Sequence, residues 1–256
     1  MTDHVRADTT DGVLHLTLAR AEKKNALTTG MYGQLADHLK AAAGDPRVRV
    51  TVLSGEGGTF TAGNDLGDFL QHPPTGEDSP VFAFLRAATA FPKPLLAAVE
   101  GHAVGIGTTI LLHCDFVWAA PSARFLLPFV DLGLVPEAAS SLLLPRAVGP
   151  RVAAEMLLLG DPIGAEDAAR LGLINSVVPA EDLLDHTLEN ARALAAKPPA
   201  ALRLTKALLR RPHAEAVAAT LRQEGQLFVE RLAEPEAQEA LTAFMEKRRP
   251  DFSRFD

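Results

Sequence analysis

Two glycines before an apolar helix pattern, and an acid further along the chain, carry the clearest chemistry in this sequence. Gly105 and Gly107 stand directly before an apolar run of helix length. The first turn of a helix has no internal acceptors for its backbone N–H groups, so this turn could bind negative charge. Glu137 follows Pro136, which suits the first position of a helix, and an acid suits the positive end of the helix dipole. One donor site and one carboxylate are the minimum for a proton-transfer centre.

A second segment marked by glycine precedes this one. It has the sequence Phe-Thr-Ala-Gly-Asn-Asp-Leu at residues 60–66. Gly63 indicates a backbone position that a side chain would obstruct. Asp65 is expected to organise this loop through backbone hydrogen bonds rather than to take protons. Considered alone, the glycines favour tight turns that bind nothing, and an acid such as Glu137 favours a role in stabilising its helix.

The other titratable residues are weaker candidates. Asp131 begins a predicted turn, and His102 and His113 flank the glycine turn and its helix. Cys114 is the one cysteine of the chain, which excludes an internal disulfide and suits a reducing compartment. It is expected to be a small buried apolar group. The spacing of these residues is not that of metal ligands, so no metal site is predicted.

The net charge of −7 over 256 residues restricts the expected partners. It argues against a nucleic-acid backbone or an anionic membrane as the main partner, so an anionic ligand must be met by local cations. Lys23 and Lys24, in a charged loop, could meet phosphates or could simply be solvated. The first residues are polar and acidic and no apolar run reaches membrane-spanning length, so a cytoplasmic protein is expected.

The predicted elements alternate between strands and helices in the first half of the chain. This order predicts βαβ units and an α/β fold. His15 is expected to face solvent from the first strand, and the segment 71–80 is expected to be an exposed loop. Strands are predicted at 13–18, 48–54, 95–99, 114–119, 124–127 and 174–178, and helices at 31–43 and 81–91.

From Gly149 onward the patterns are almost entirely helical. We therefore expect an α/β core over 1–195, followed by a helical region over 196–256 that belongs to the same unit. Apolar stripes on the late helices must be buried against something, and another subunit is a natural candidate. Helices are predicted at 151–159, 165–171, 182–196, 200–209, 214–232 and 235–247, and the stripes comprise Val217, Leu221, Leu227, Phe228 and Leu232.

These pieces together resemble the crotonase superfamily, the enoyl-CoA hydratases and isomerases. No single piece is specific, but their order and spacing span the whole chain. The resemblance implies a crotonase-like spiral of ββα units in two nearly perpendicular sheets, with a helical C-terminal region that builds a homotrimer or a dimer of trimers. The matching segments are 20–27, 60–66, 93–107, 114–115, 132–134, 146–149, 154–156, 165–173 and 244–252.

The resemblance also implies roles for individual residues. The backbone N–H groups of Asn64 and Ile106 would form an oxyanion hole for the thioester carbonyl of an acyl-CoA. Removing one such donor typically raises the reaction barrier by roughly 2.7–4 kcal/mol. The basic run that begins at Lys247 would meet the CoA phosphates from the same chain or from a neighbouring subunit. Coenzyme A is then part of the substrate, no separate cofactor is needed, and the implied CoA-binding residues are Lys23, Lys24, Ala26, Ala62, Asp65 and Lys247.

Departures from the superfamily pattern narrow the expected activity. Thr109 and Phe129 stand where typical hydratases have their two glutamates. Glu137, followed by two serines, resembles the single catalytic glutamate of the peroxisomal-type enoyl-CoA delta isomerases. The similar 4-halobenzoyl-CoA dehalogenases have an aspartate nucleophile at this position, so a glutamate favours proton shuttling. We therefore expect an isomerase that converts 3-enoyl-CoA to 2-enoyl-CoA; a hydratase and a CoA-thioester-binding protein with vestigial catalysis remain alternatives.

Overall fold

A computed structural model describes residues 4–74, 76 and 78–255 of the chain. Within these residues the strands form a six-stranded sheet in the order β1-β2-β3-β4-β6-β9 and a three-stranded sheet in the order β5-β7-β8. The predicted α/β class is confirmed. The strands are β1 Val5–Thr10, β2 Val13–Leu18, β3 Val50–Gly55, β4 Leu95–Val99, β5 His102–Val104, β6 Phe116–Ala119, β7 Arg124–Leu126, β8 Ile163–Gly164 and β9 Ser176–Val177.

The larger sheet begins with a hairpin and continues with parallel strands. β1 pairs with β2 in antiparallel register, and Asp11 and Gly12, both with positive φ, make the turn between them. Asp-Gly is a favoured pair for such two-residue turns. From β2 to β9 every neighbouring pair is parallel, as the predicted βαβ alternation requires. β1 was not predicted from the sequence.

Both faces of the large sheet are buried. Neighbouring residues such as Val52 and Leu53 belong to different hydrophobic clusters, because side chains alternate along a strand. The cluster that contains Leu53 is shared with the helices after β2 and before β4, and the other is covered by the helix after β9. The prediction that His15 faces solvent is wrong. β2 is an inner strand, and His15 is half-buried with its Nε2 2.7 Å from Ser54 Oγ.

Helices cover these sheets, and short polar side chains begin several of them. The Thr28 hydroxyl accepts the N–H of Met31 at the start of α1, and the Ser79 hydroxyl accepts the N–H of Phe82 at the start of α3. The helices are α1 Thr29–Gly44, α2 Leu66–Gln71, α3 Pro80–Thr89, α4 Ile106–Thr109, α5 Ser140–Val148, α6 Pro150–Ala154, α7 Ala165–Leu171, α8 Leu183–Ala195, α9 Pro199–Arg210, α10 Ala214–Leu232 and α11 Pro235–Met245.

The late helices return to the core. α8 ends at Ala195, beside the expected boundary of the α/β core, and packs on the large sheet. Leu221, Phe228 and Leu232 of α10 are buried within their own chain, so these residues do not need the second subunit that the sequence suggested. Across the described ranges, no helix has the length and apolar character needed to cross a membrane.

Candidate active site

The loop at residues 61–65 leaves one backbone donor free. Asn64 lies at its centre, and the N–H groups around it are occupied by acceptors in the same region. Among the described residues the Asn64 N–H has no acceptor, which is unusual for a backbone donor inside a folded chain. The occupied donors are the N–H groups of Thr61, Ala62, Gly63 and Asp65.

Glycine allows this loop to approach the next one closely. Gly63 has a φ of 87°, and a Cβ added there would lie 2.9 Å from the carbonyl oxygen of Val104. Any side chain would therefore both strain the backbone and push the two loops apart. The sequence prediction that a side chain would obstruct this position is confirmed.

The second loop leaves another donor free at the start of α4. Gly105 adopts a φ of 54° and a ψ of −115°, and its N–H donates to the Leu126 carbonyl at 2.8 Å. Ile106 is the first helical residue, and its N–H likewise lacks an acceptor within the described part of the chain. The long apolar helix expected here is divided into α4 and a 3₁₀ turn at Ile110–His113.

Asn64 and Ile106 line the same cleft, which we call the main cleft and which has a volume of about 670 Å³. The two loops form one side, the end of β7 and the segment after it a second, and α10 and α11 a third. Of the eight expected oxyanion and CoA-binding residues, six line it. They are Lys23, Ala26, Ala62, Asn64, Asp65 and Ile106, whereas Lys24 and Lys247 do not appear in its lining.

Asp65 organises the loop, as its sequence position suggested. One carboxylate oxygen accepts a hydrogen bond from Arg20 Nη1 at 2.6 Å, and the other accepts the N–H of Asp68 at 3.1 Å and so caps α2. Burial raises the pKa of Asp65, but its hydrogen bonds with Arg20 and Asp68 outweigh burial and leave the pKa below its usual value. The Asp65 carboxylate is therefore ionised, and both of its oxygens already accept hydrogen bonds.

Glu137 lies before a helix rather than within one. The prediction that Glu137 lies in the first turn of a helix is wrong, because α5 begins only at Ser140. Ala138 and Ala139 intervene with φ values of 59° and 56°, which turn the backbone away from a right-handed helical path. The Ser140 N–H donates to the Glu137 carbonyl at 3.0 Å and closes the turn.

The Glu137 side chain is buried in an apolar environment. It is 4% exposed, and its Oε1 has no hydrogen-bond partner in the described structure. Burial, and secondarily the nearby Glu224, raise the pKa of Glu137 to about 8. A small cavity of about 10 Å³, here called the Glu137 cavity, adjoins it and is lined by Pro74, Val81, Phe82, Leu85, Glu137, Ala138, Leu221, Gly225 and Phe228.

Two aromatic residues connect Glu137 with the main cleft. Phe228 lines both spaces, so its side chain forms part of the wall between them. The hydroxyl of Tyr32 donates to Asn64 Oδ1. Burial, and then the proximity of Glu137, raise the pKa of Tyr32 well above its usual range. The structure thus brings Glu137 close to the loop that carries the free Asn64 N–H.

The remaining candidates lie elsewhere or are occupied. Asp131 is exposed and is not part of the lining of the main cleft, whereas Phe129 is. Thr109 is buried and its hydroxyl lacks a partner in the described structure. Cys114, expected to be a small buried apolar group, is half-buried by exposure, and burial raises the pKa of its thiol to about 12. No group of three or more His, Cys, Asp or Glu side chains among the described residues could hold a metal ion.

Two arginines of the C-terminal tail already form salt bridges within the chain. Arg248, the neighbour of Lys247, pairs with Glu239 at 2.6 Å and with Glu246 at 2.6 Å. Arg254 pairs with the same Glu239 at 2.6 Å. Lys247 itself is exposed and follows the end of α11, two residues after Met245, which lines the main cleft.

Sequence reasoning gave no role at the site to three residues of this region. Tyr32, Glu224 and Phe228 lie on α1 and α10, far in sequence from the glycine turns. Glu224 did carry a signal, because it stands three residues after Leu221 and four before Phe228, within an apolar helix face. An acid on such a face is expected to have a specific partner.

Comparisons with known proteins show what the whole chain is similar to. The family model described as Enoyl-CoA hydratase/isomerase matches residues 8–254. The chain is 39% identical to the 2,3-dehydroadipyl-CoA hydratase of Escherichia coli (strain K12) over 242 residues, which cover 94% of each chain. It is 35% identical over 245 residues to enoyl-CoA delta isomerase 2 of Homo sapiens, covering 93% of this chain and 62% of that protein. The solved structure of an enoyl-CoA hydratase/isomerase from Pseudoalteromonas atlantica T6c superposes with a TM-score of 0.93 at 42% identity, covering 98% of this chain and 100% of that one.

Proposed function

The chain belongs to the enoyl-CoA hydratase/isomerase family, and within it we propose an enoyl-CoA isomerase that moves a double bond from position 3 to position 2. The observation that carries this proposal is the buried Glu137 carboxyl beside a loop with a free backbone donor. A buried acid whose pKa is raised to about 8 is suited to exchange protons with carbon near neutral pH.

The proposed reaction uses one carboxylate twice. Ionised Glu137 removes a proton from C2, the carbon next to the thioester, and the electron pair moves onto the thioester oxygen. The N–H groups of Asn64 and Ile106 stabilise the resulting enolate, because they are fixed before the charge develops. Glu137 then returns the proton to C4, and the double bond forms between C2 and C3. Phe228 lines both the main cleft and the Glu137 cavity, so it would contact an acyl chain that reaches Glu137 from the cleft.

The residues at the positions of the hydratase glutamates favour isomerisation over hydration. Hydration requires a water molecule to be activated while carbon is protonated, and hydratases of this superfamily use a pair of glutamates. Thr109 and Phe129 cannot supply that pair at neutral pH. Asp65, which also lines the main cleft, is held by Arg20 and by the start of α2. These features support a mechanism with one carboxylate.

The CoA moiety is proposed to lie at the Lys23 side of the main cleft. Lys23 offers a cation to its phosphates, and Ala26 and Ala62 offer small surfaces against which the carrier can pack. Asp65 contributes by holding the loop that carries Asn64. Lys247 from the tail and Lys24 also remain proposed contacts, although neither side chain lines the main cleft.

Hydration is the second candidate. The similarity to a hydratase at 39% identity favours it, and so does a second buried acid, Glu224, close enough to raise the pKa of Glu137. If the two acids acted together on a water molecule, the chain would have its own pair of carboxylates. The two functions are separated by the products that the enzyme forms.

The decisive experiment offers 3-enoyl-CoA and 2-enoyl-CoA substrates to the wild type and to Glu137→Gln. We expect wild-type bond migration to exceed water addition. Glu137→Gln should lose at least about 100-fold in isomerisation while still binding the CoA ester. Asp131→Asn, an exposed acid nearby in sequence, is the control and should stay active. Near-normal isomerisation by Glu137→Gln, or wild-type hydration faster than isomerisation, would overturn the proposal.

A further inference from the structure

The turn that follows Glu137 is held in an unfavourable backbone conformation. Ala138 and Ala139 are consecutive, and both have left-handed φ values, of 59° and 56°. For residues with a Cβ this conformation is strained, because the Cβ approaches the following carbonyl oxygen. It persists only where surrounding contacts determine it. The direction in which Glu137 points therefore depends on what fixes this turn.

Glu224 fixes one side of the turn from a distant helix. Its Oε1 accepts the Ser141 N–H at 2.9 Å and the Ser141 hydroxyl at 2.5 Å. α5 has no side-chain cap of its own, because Ala139 occupies its N-cap position. Glu224 thus supplies from α10 the acceptor that a local cap would normally provide.

His113 fixes the other side of the same turn. Its Nε2–H donates to the Ala138 carbonyl at 2.7 Å, so the turn is held at both of its ends. Burial lowers the pKa of His113 to about 4, with smaller contributions from Arg210 and Lys206. His113 is therefore neutral near pH 7, and this contact adds no charge to the site.

We propose that Glu224 is a positioning residue for the reaction: from α10 it holds the start of α5, and through the turn before α5 it places Glu137. This inference rests on the proposed function for the role of Glu137. It assigns to Glu224 no contact with substrate. The residue acts through Ser141 and the backbone of the turn.

The charge of Glu224 gives this role a distinctive readout. Burial raises the pKa of Glu224, while the hydroxyl and N–H of Ser141 and the N–H groups of Ala139 and Ser140 oppose that rise. Its Oε2 is buried and has no partner in the described structure. The titratable groups near Glu137 are thus Glu224 from α10 and Tyr32 from α1, and neutral His113 donates a hydrogen bond to the turn that follows Glu137. Because a nearby anion opposes a second ionisation, removing the Glu224 charge should lower the pKa of Glu137.

Two variants of one side chain separate positioning from charge. Glu224→Gln keeps an oxygen acceptor for Ser141 but removes the charge. We expect its kcat at high pH to stay near the wild-type value, and the midpoint of its pH–rate profile to move to lower pH. Glu224→Leu removes the acceptor, and we expect kcat to fall about 10- to 100-fold with a much smaller change in KM, because small misplacements of a reacting group are costly.

Ser141→Ala and Glu239→Gln complete the set. Ser141→Ala removes the hydroxyl bond but leaves the N–H bond, so its kcat should lie between those of the wild type and Glu224→Leu. Glu239 is a buried acid on α11 that pairs with Arg248 and Arg254, and its replacement should leave the pH midpoint in place. A wild-type kcat in Glu224→Leu, or an unmoved midpoint in Glu224→Gln, would overturn the proposal.

A titration without substrate keeps this test independent of the proposed function. The Glu137 carboxyl can be followed by ¹³C NMR, with the signal assigned by its loss in Glu137→Gln. Its midpoint should be lower in Glu224→Gln than in the wild type, and amide exchange at Ser141 should be faster in Glu224→Leu. Failure of the wild type to isomerise would contradict the proposed function but not the role of Glu224 in placing Glu137. An unchanged titration midpoint of Glu137 and an unchanged amide exchange rate at Ser141 would contradict the role of Glu224 but not the proposed function.

Discussion

Glu137 links catalysis to stability at the level of a single residue. Its pKa is about 8 in the folded protein, against 4.5 as the ordinary value for a glutamate. The folded state therefore binds this proton more tightly than the unfolded state. The stabilisation is fully present below about pH 4.5 and is lost as the pH rises through about 8. A base kept in an apolar cavity thus weakens the fold under the conditions in which it is ionised.

We predict that Glu137→Gln is more stable than the wild type above pH 8, by a few kcal/mol at most. The neutral amide cannot ionise, so the Tm of Glu137→Gln should change less between pH 6 and 9 than the Tm of the wild type. Glu239→Gln provides a control of opposite sign, because hydrogen bonds from Arg248 hold the pKa of Glu239 at about 2. Glu239→Gln should be destabilised at neutral pH. Thermal unfolding of the three proteins across this range measures both effects, and equal Tm values for Glu137→Gln and wild type at pH 9 would contradict the first.

Lys23 and Lys24 form a matched pair for testing where CoA lies. They are adjacent and both exposed, but only Lys23 of the two lines the main cleft. We predict that Lys23→Glu raises KM for an acyl-CoA roughly tenfold with little change in kcat, because one charge meets the phosphates. Lys24→Glu should raise KM less. Equal effects in steady-state assays would show that the cleft lining does not identify the phosphate contact.

The elements that carry the glycine turns could be predicted from the sequence. Gly63 and Gly105 are required by backbone conformations or close approaches that other residues resist, so the sequence retains a visible trace of them. The strands of the parallel sheet were found within a few residues of their ends, because buried apolar runs mark them. β1 was missed since most of its residues are exposed, although Asp11-Gly12 was the available signal.

The start of α5 and the environment of Glu137 could not be predicted. Proline and an acid at 136–137 are typical of a helix start, and nothing local indicates that two alanines adopt left-handed conformations. That conformation is fixed by Glu224, which is 83 residues away from Ser141 along the chain. Contacts of this kind depend on tertiary packing, which hydrophobic periodicity does not encode.

α10 lines the spaces on which the proposed chemistry depends. Phe228 lines both the main cleft and the Glu137 cavity. One turn earlier, Gly225 lines both that cavity and an open groove of about 1000 Å³ between α3 and α10. A Cβ at Gly225 would lie 2.6 Å from Phe82 Cε1, so the glycine lets the two helices close together. α10 therefore supplies Glu224, and it also supplies Gly225 and Phe228 to the lining of the Glu137 cavity.

At the scale of the whole molecule, α9 has an unusual orientation. Its buried side chain is Lys206, whose Nζ donates to the Lys93 carbonyl and to Asp115 at 2.6 Å each. Its large apolar side chains instead face outward. The exposed fractions are 64% for Leu204, 63% for Leu208 and 76% for Leu209. Apolar surface of this extent usually marks an interface.

We therefore predict that the chain associates through the leucines of α9, and not through the α10 stripe that the sequence suggested. A trimer would have a mass of about 82 kDa, three times the 27.2 kDa of the chain. Leu204→Glu combined with Leu208→Glu should shift light scattering toward the monomer mass, because burying two unpaired charges in an interface costs several kcal/mol. Leu184→Glu, on α8 and 39% exposed in the wild type, is the control and should not change the mass. A monomeric wild type at micromolar concentration, or a double variant that assembles like the wild type, would show that this face is not the interface.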